Sequence, residues 1–233
     1  MEDVTYLNDN LLTISSRNEI FDISFYRNSD YLKTIENFVK FITAVKNMVR
    51  HSKEYANFKA QLYDMGLTRC QILGHIEEDI DDKETLVEMH HGPILTLFDY
   101  CAIVTDYLIN TNQPVTTFKV ARIVLNEHFE GNVQTVMLSK TAHQLVDSGE
   151  MFISFNQARG NLNNFLIKYK EGLNDERIQK INRYIELSEE YGTFDNGLFN
   201  LKATLTDWNY DVAKERVNQN NGQWGVNSWE NLF

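Results

Sequence analysis

The sequence predicts an α+β fold, mostly helical, built around a small β-hairpin. Three observations predict it. Apolar residues recur at helical spacing through most of the chain, as at Leu32, Ile35, Phe38, Val39, Ile42, Val45 and Val49. Strand-like runs are few and short, and they flank one acidic turn. Hydrophobic residues make up 42% of the 233, which supplies a core and excludes a globally disordered chain, while only two prolines exclude a collagen-like or linker-rich one.

Taken in order, Glu19 to Phe25 alternates loosely and reads as a short strand. Ser29 is placed to cap a helix carrying the Leu32–Val49 stripe, which continues through Tyr55, Phe58, Leu62 and Met65 until Gly66 stops it. Arg69 to Ile76 and Thr85 to His91 read as two strands around the turn Glu77 to Glu84, with His75 an ordinary strand residue. Helices follow over Thr96 to Asn110, broken by Asn112-Gln113-Pro114, and over Phe118 to Phe129, capped by Thr116 or Thr117. Gly131-Asn132 is a turn, and Ser139 caps a helix that Gly149 ends. Met151 to Phe155 reads as a strand, Leu162 to Lys170 and Asp175 to Tyr191 as helices. The last forty residues hold Trp208, Trp224 and Trp229, and Asn218 to Gly225 cannot bury a continuous face, so this end reads as a flexible tail with an aromatic tip that docks on the molecule or a partner. These readings divide the chain into residues 1–66, 67–160 and 161–233.

Cys70 and Cys101 lie far apart in apolar surroundings and read as buried thiols, consistent with a reducing compartment. The N-terminus has no signal-peptide pattern, and Asp99 and Asp106 interrupt the best apolar stretch, so the expectation is a soluble protein of a cytoplasm without a membrane partner. The formal charge of −11 opposes binding to a phosphate backbone. Against it, Arg27 to Lys59 holds seven basic residues and three acids. Lys40, Lys46, Arg50 and Lys53 there are either the solvated face of a packing helix or a cationic track for nucleic acid. The seven acids of Glu77 to Glu88 lack the glycine and spacing of a calcium loop and read as a solvated hairpin tip.

The chemistry-bearing residues are the pair in Glu88-Met89-His90-His91-Gly92-Pro93 and the later His143-Gln144-Leu145-Val146-Asp147. On a helix, His143 and Asp147 share one face. With His90 they form three ligands, the number that leaves a metal an open position. His91 would then stand beside the metal as general base, the outline of a metal-assisted phosphodiesterase. On this reading the imidazole nitrogens of His90 and His143 and an Asp147 oxygen should lie within roughly 6 Å of a common point.

The arrangement of strand end, histidine pair, proline and Leu138-Ser139-Lys140-Thr141-Ala142-His143 opening a helix resembles the HNH endonuclease superfamily. The run from Glu88 to Asp99 is similar to HNH-type proteins of tailed bacteriophages, a likeness extending from about Ser52 to Tyr169. The resemblance implies a ββα-metal core in residues 67–160 with helices inserted, His90, His143 and Asp147 as metal ligands and His91 as catalytic base. Glu88 would support the site. Asn132, or Gln134, would stand in for the bracing asparagine, and His128 would be either a replacement ligand or a surface or capping histidine. Asp147 in place of histidine shifts the expected ion from Zn²⁺ toward Mg²⁺ or Mn²⁺.

Two functions are therefore expected. One is a phage-type metal-dependent endonuclease with DNA as partner. The other is an inactive HNH-like phage protein, a structural or interaction component whose acidic surface meets a phage or host protein, in the virion or the host cytoplasm.

Overall fold

The structure, a computed structural model, describes residues 30–74, 86–193 and 195–206 fully, and the strand backbones at 4–7, 11–16, 19–21 and 26–27. It is α+β and mostly helical. Strands β1 (Val4–Leu7), β2 (Leu11–Ser16) and β3 (Glu19–Phe21) form an antiparallel meander. The strand expected over Glu19 to Phe25 is seen as β3; residues 22–25 lie outside the described residues, as do Ser29, His75, the acidic turn and the tryptophan-bearing tail. Strand β4 (Tyr26–Arg27) pairs later with a short strand at Val115–Thr116.

The long amphipathic pattern folds as two helices, α1 (Ile35–Arg50) and α2 (Lys53–Asp64). Thr34 caps the first by accepting the Asn37 N–H at 3.3 Å, and Ser52 caps the second by accepting the Tyr55 N–H at 3.1 Å. A side-chain oxygen satisfying an orphan N–H stabilises each start by about 1 kcal/mol, which explains why the single expected helix divides at His51-Ser52. Phe38, Phe41, Ile42, Val45 and Val49 bury one face of α1 against the helices that follow.

Strand β5 (Val87–His91) leads to α3 (Leu97–Asn110), the central helix. Thr96 and Asp99 close a reciprocal capping box at its start. Leu97, Tyr100, Ala102, Ile103, Val104 and Leu108 are buried around most of its circumference, so it is surrounded by protein and not laid on the surface. After β6 (Val115–Thr116) comes α4 (Thr117–Phe129), then β7 (Thr135–Ser139) and α5 (Lys140–Asp147). The chain ends, within the described residues, in α6 (Leu162–Lys168), α7 (Asp175–Glu190) and α8 (Asn196–Thr206). One hydrophobic cluster runs from Leu32 to Leu205 and takes side chains from α1, α3, α4, α6, α7 and α8. Ion pairs Arg177–Asp106 at 2.6 Å and Lys180–Asp99 at 2.8 Å fasten α7 to α3. The turn at Gly172 lies so close to α3 that a methyl group there would meet the Ile103 carbonyl. No helix among the described residues is long and apolar enough to cross a membrane. Cys70 and Cys101 are both buried and unbridged.

Three expected elements differ. The partner of β5 is β7, antiparallel in the register His90↔Val136, and not the segment from Arg69. Residues 69–74 form no strand. That segment instead covers the outer edge of β7: the Gln71 N–H donates to the Met137 carbonyl at 2.8 Å, and the Gln71 side chain accepts the Met137 N–H at 2.7 Å. The backbone at Arg159 covers the same edge through two 2.8 Å bonds with Thr135. Met151 to Phe155 is not a strand; a 3₁₀ turn over Phe155–Gln157 follows it. Helix α8 begins the stretch expected as a tail, and it buries Leu198, Leu201 and Leu205.

Two buried polar groups sit in the core side of this frame. His91 and His128 meet Nε2 to Nε2 at 3.0 Å. The Nδ1 of His128 lies 2.7 Å from the Val124 carbonyl, which can only accept, so His128 donates there and accepts from His91. Tyr55 and Phe58 enclose His128 edge-on. Glu127 is almost fully buried and is held by Lys168 at 2.6 Å, Tyr169 Oη at 2.6 Å and Asn132 Nδ2 at 2.7 Å.

Glu127→Ala should lower stability by on the order of 3 kcal/mol, because it leaves the amide and hydroxyl facing an empty buried site. Glu127→Gln should cost less; denaturant midpoints of the two variants check the difference. Burial lowers the His128 pKa to about 4, against an ordinary 6.5. Between those values the unfolded chain binds more protons than the folded one, so stability is complete above about pH 6.5 and declines as pH falls to about 4. His128→Gln should flatten that decline by up to roughly 3 kcal/mol across the window, measured as thermal midpoint against pH.

Candidate metal centre

The side-chain alternation of β5 sorts the residues of this region into two sets. Val87, Met89 and His91 turn toward α2, where Val87 and Met89 pack with Phe58, Leu62 and Met137. Glu88 and His90 turn to the opposite face, beneath α5. Directly opposite them on β7, Leu138 and Val136 pack with Cys70, Ala142 and Ile153 and hold α5 against the strands. Ser139 caps α5 by accepting the Ala142 N–H, and Ala142 is the residue that faces inward. His143 follows at the edge of the buried face, with Asp147 one turn further on.

The structure brings His90, His143 and Asp147 together. One ligand atom from each lies within 4.8 Å of the other two. His143 Nε2 is 3.6 Å from Asp147 Oδ2, and His90 Nδ1 is 3.9 Å from Asp147 Oδ1. These are too long for direct hydrogen bonds. The imidazoles of His90 and His143 stand edge-on with centroids 4.8 Å apart. Glu88 Oε2 accepts from His143 Nδ1 at 2.7 Å, which leaves the Nε2 lone pair of His143 directed at the other two residues. Burial, with His143 next to it, lowers the His90 pKa despite Asp147. That favours the neutral imidazole, the form that coordinates a metal. Gly92 makes room for the His90 ring, since a Cβ there would come within 2.9 Å of its Nε2. In the sequence, the signal for Gly92 is only a glycine two residues after a candidate ligand.

The other candidates lie elsewhere. His91 does not face the cluster: it is 6% exposed, stacks on Tyr55 and bonds to His128. Burial, and after it His128, Arg50 and His90, hold it well below the ordinary histidine range. A general base needs a path to the reacting proton, and the strand alternation that delivers His90 to α5 removes His91 from it. His128 is neither ligand nor surface residue but His91's buried partner. Asn132 braces no histidine; its amide serves Glu127 and, at 3.3 Å, Glu130. The side-chain amide of Gln134 is buried with no hydrogen bond among the described residues. Lys40 is exposed and paired with Glu36 at 2.6 Å, while Lys46 and Arg50 lie on α1 and Lys53 opens α2, helices that contribute nothing to the cluster.

No curated protein and no solved structure matches this chain. A family model described as bacteriophage G278-like virion protein matches residues 3–219. That match overturns the HNH endonuclease resemblance and, with it, the expectations of a hydrolase and of DNA binding. It agrees with the bacteriophage origin that the Glu88–Asp99 run suggested. Matched over nearly its whole length, the chain belongs to the bacteriophage G278-like virion protein family.

Proposed function

We propose that this protein is a structural component of the phage particle, assembled through protein contacts. The observation that carries this reading is the family match over residues 3–219. Burial of His91 supports it from the side of chemistry, since the residue best placed in sequence to activate water is closed off against His128. The charge of −11 supports it as well, because an acidic surface disfavours contact with packaged nucleic acid and leaves protein as the partner.

Particles purified through a density gradient and washed in high salt should retain the chain at a fixed copy number, read by quantitative mass spectrometry. Its loss from washed particles, with abundant chain left in the infected-cell lysate, would overturn the proposal. In a separate measurement, the purified protein should leave supercoiled plasmid intact in Mg²⁺, Mn²⁺ and Zn²⁺. Nicking that disappears in His143→Ala would return the protein to the enzymes.

A further inference from the structure

We propose that His90, His143 and Asp147 bind a single divalent first-row transition ion, Zn²⁺ foremost, which fastens helix α5 to strand β5. The inference is independent of the particle assignment and rests on geometry. Three ligand atoms lie within 4.8 Å of one another yet make no direct hydrogen bonds among themselves. Metal–ligand bonds of about 2.0–2.2 Å place donors roughly 3–3.5 Å apart around a tetrahedral ion, so side-chain shifts on the order of 1 Å close the site. The His143–Asp147 separation of 3.6 Å is already near that spacing.

A second observation points the same way. Glu88 accepts from His143 Nδ1 at 2.7 Å, on the far side of the ring from Nε2. A carboxylate behind a ligating imidazole fixes its tautomer and raises its basicity. Glu88 is thus a positioning residue. It reaches His143 because residues 88 and 90 share one face of the strand.

Donor chemistry selects the ion. Asp147 alone inclines toward Mg²⁺ or Mn²⁺, but two of the three donors are imidazole nitrogens, which suit Zn²⁺ and its transition-metal neighbours. Asp147 has a side chain 64% exposed, so the ion lies at the solvent edge and the fourth position takes water. The consequence is mechanical. Helix α5 is only eight residues long and has Ala142 as its one fully buried side chain. An ion bridging both ends of the His143–Asp147 turn to β5 adds the fixation that this short apolar face lacks.

The test uses the tag-free full chain, stripped with EDTA and dialysed, titrated with Zn²⁺ and with Mg²⁺ by calorimetry and by competition with a chromophoric chelator. One Zn²⁺ per chain is expected, with a rise in thermal midpoint because the ion binds the folded state. Asp147→Asn and His143→Gln should remove both the binding and the rise. Glu88→Gln should weaken affinity by about 10- to 100-fold, and His51→Ala, at the exposed end of α1, should change neither. Asp147 and Glu88 are surface residues, and unchanged circular dichroism of their variants shows that the fold is intact. Wild-type protein that binds Zn²⁺ no more tightly than Asp147→Asn would overturn the site. Uptake of Mg²⁺ in preference to Zn²⁺ would overturn the assignment of the ion.

Discussion

The antiparallel register of β5 on β7, with His90 opposite Val136 and His91 opposite Thr135, decides where the chemistry-bearing side chains of this protein go. Residue pairs directly opposite in such a ladder share a face. The register therefore places Glu88 and His90 over Leu138 and Val136, under α5, and puts Met89 with Met137 against α2. A slip of one residue would exchange the faces, sending His91 to α5 and His90 into the core. The pairing is long-range: α3 and α4 are inserted between its two strands, so their packing around the central core determines whether the strands meet at all.

Because the ladder has two strands, both edges of β7 need partners. β5 supplies one, and the other is covered by Gln71 and by the backbone at Arg159. Covering an edge with irregular chain satisfies its hydrogen bonds without offering a third strand for other molecules to extend. This closes one route to unspecific association. The core side is similarly closed. His91 and His128 satisfy each other and Glu127 gathers three donors, so the polar groups beside the helices are inward commitments to the fold and not surface chemistry.

The split between His90 and His91 shows how two adjacent residues of one type take opposite roles. Neighbours on a strand point to opposite faces, so His90 lies under α5 at the solvent edge of the cluster and His91 lies in the core. His90 retains access to His143 and Asp147. His91, pushed well below the ordinary histidine range by burial, becomes a neutral hydrogen-bonding element of the core. The pair resembled a ligand and its base because the sequence shows the histidines but not which face of the strand is open.

The α+β class, most helices and the eventual neighbours Glu88, His90, His143 and Asp147 were legible in the sequence because each depends on local rules. Helical spacing fixes α3 and α4, with Thr116 capping the second, and i to i+4 spacing fixes the His143–Asp147 pair. The tertiary structure alone decided the rest. Strand β7 is buried at every position, so it has no alternation to betray it beside a helix cap. Residues 69–74, strand-like in composition, are irregular because β7 holds the place next to β5 and leaves them only its outer edge. His128 took its role from His91, 37 residues away, and Gln134 from enclosure on every side, while Asn132 turned to Glu127 and Glu130 just before it. Local sequence sets what a segment prefers; which face of it meets solvent is settled only when distant segments pack, and at His91 that packing turned the imidazole inward to His128.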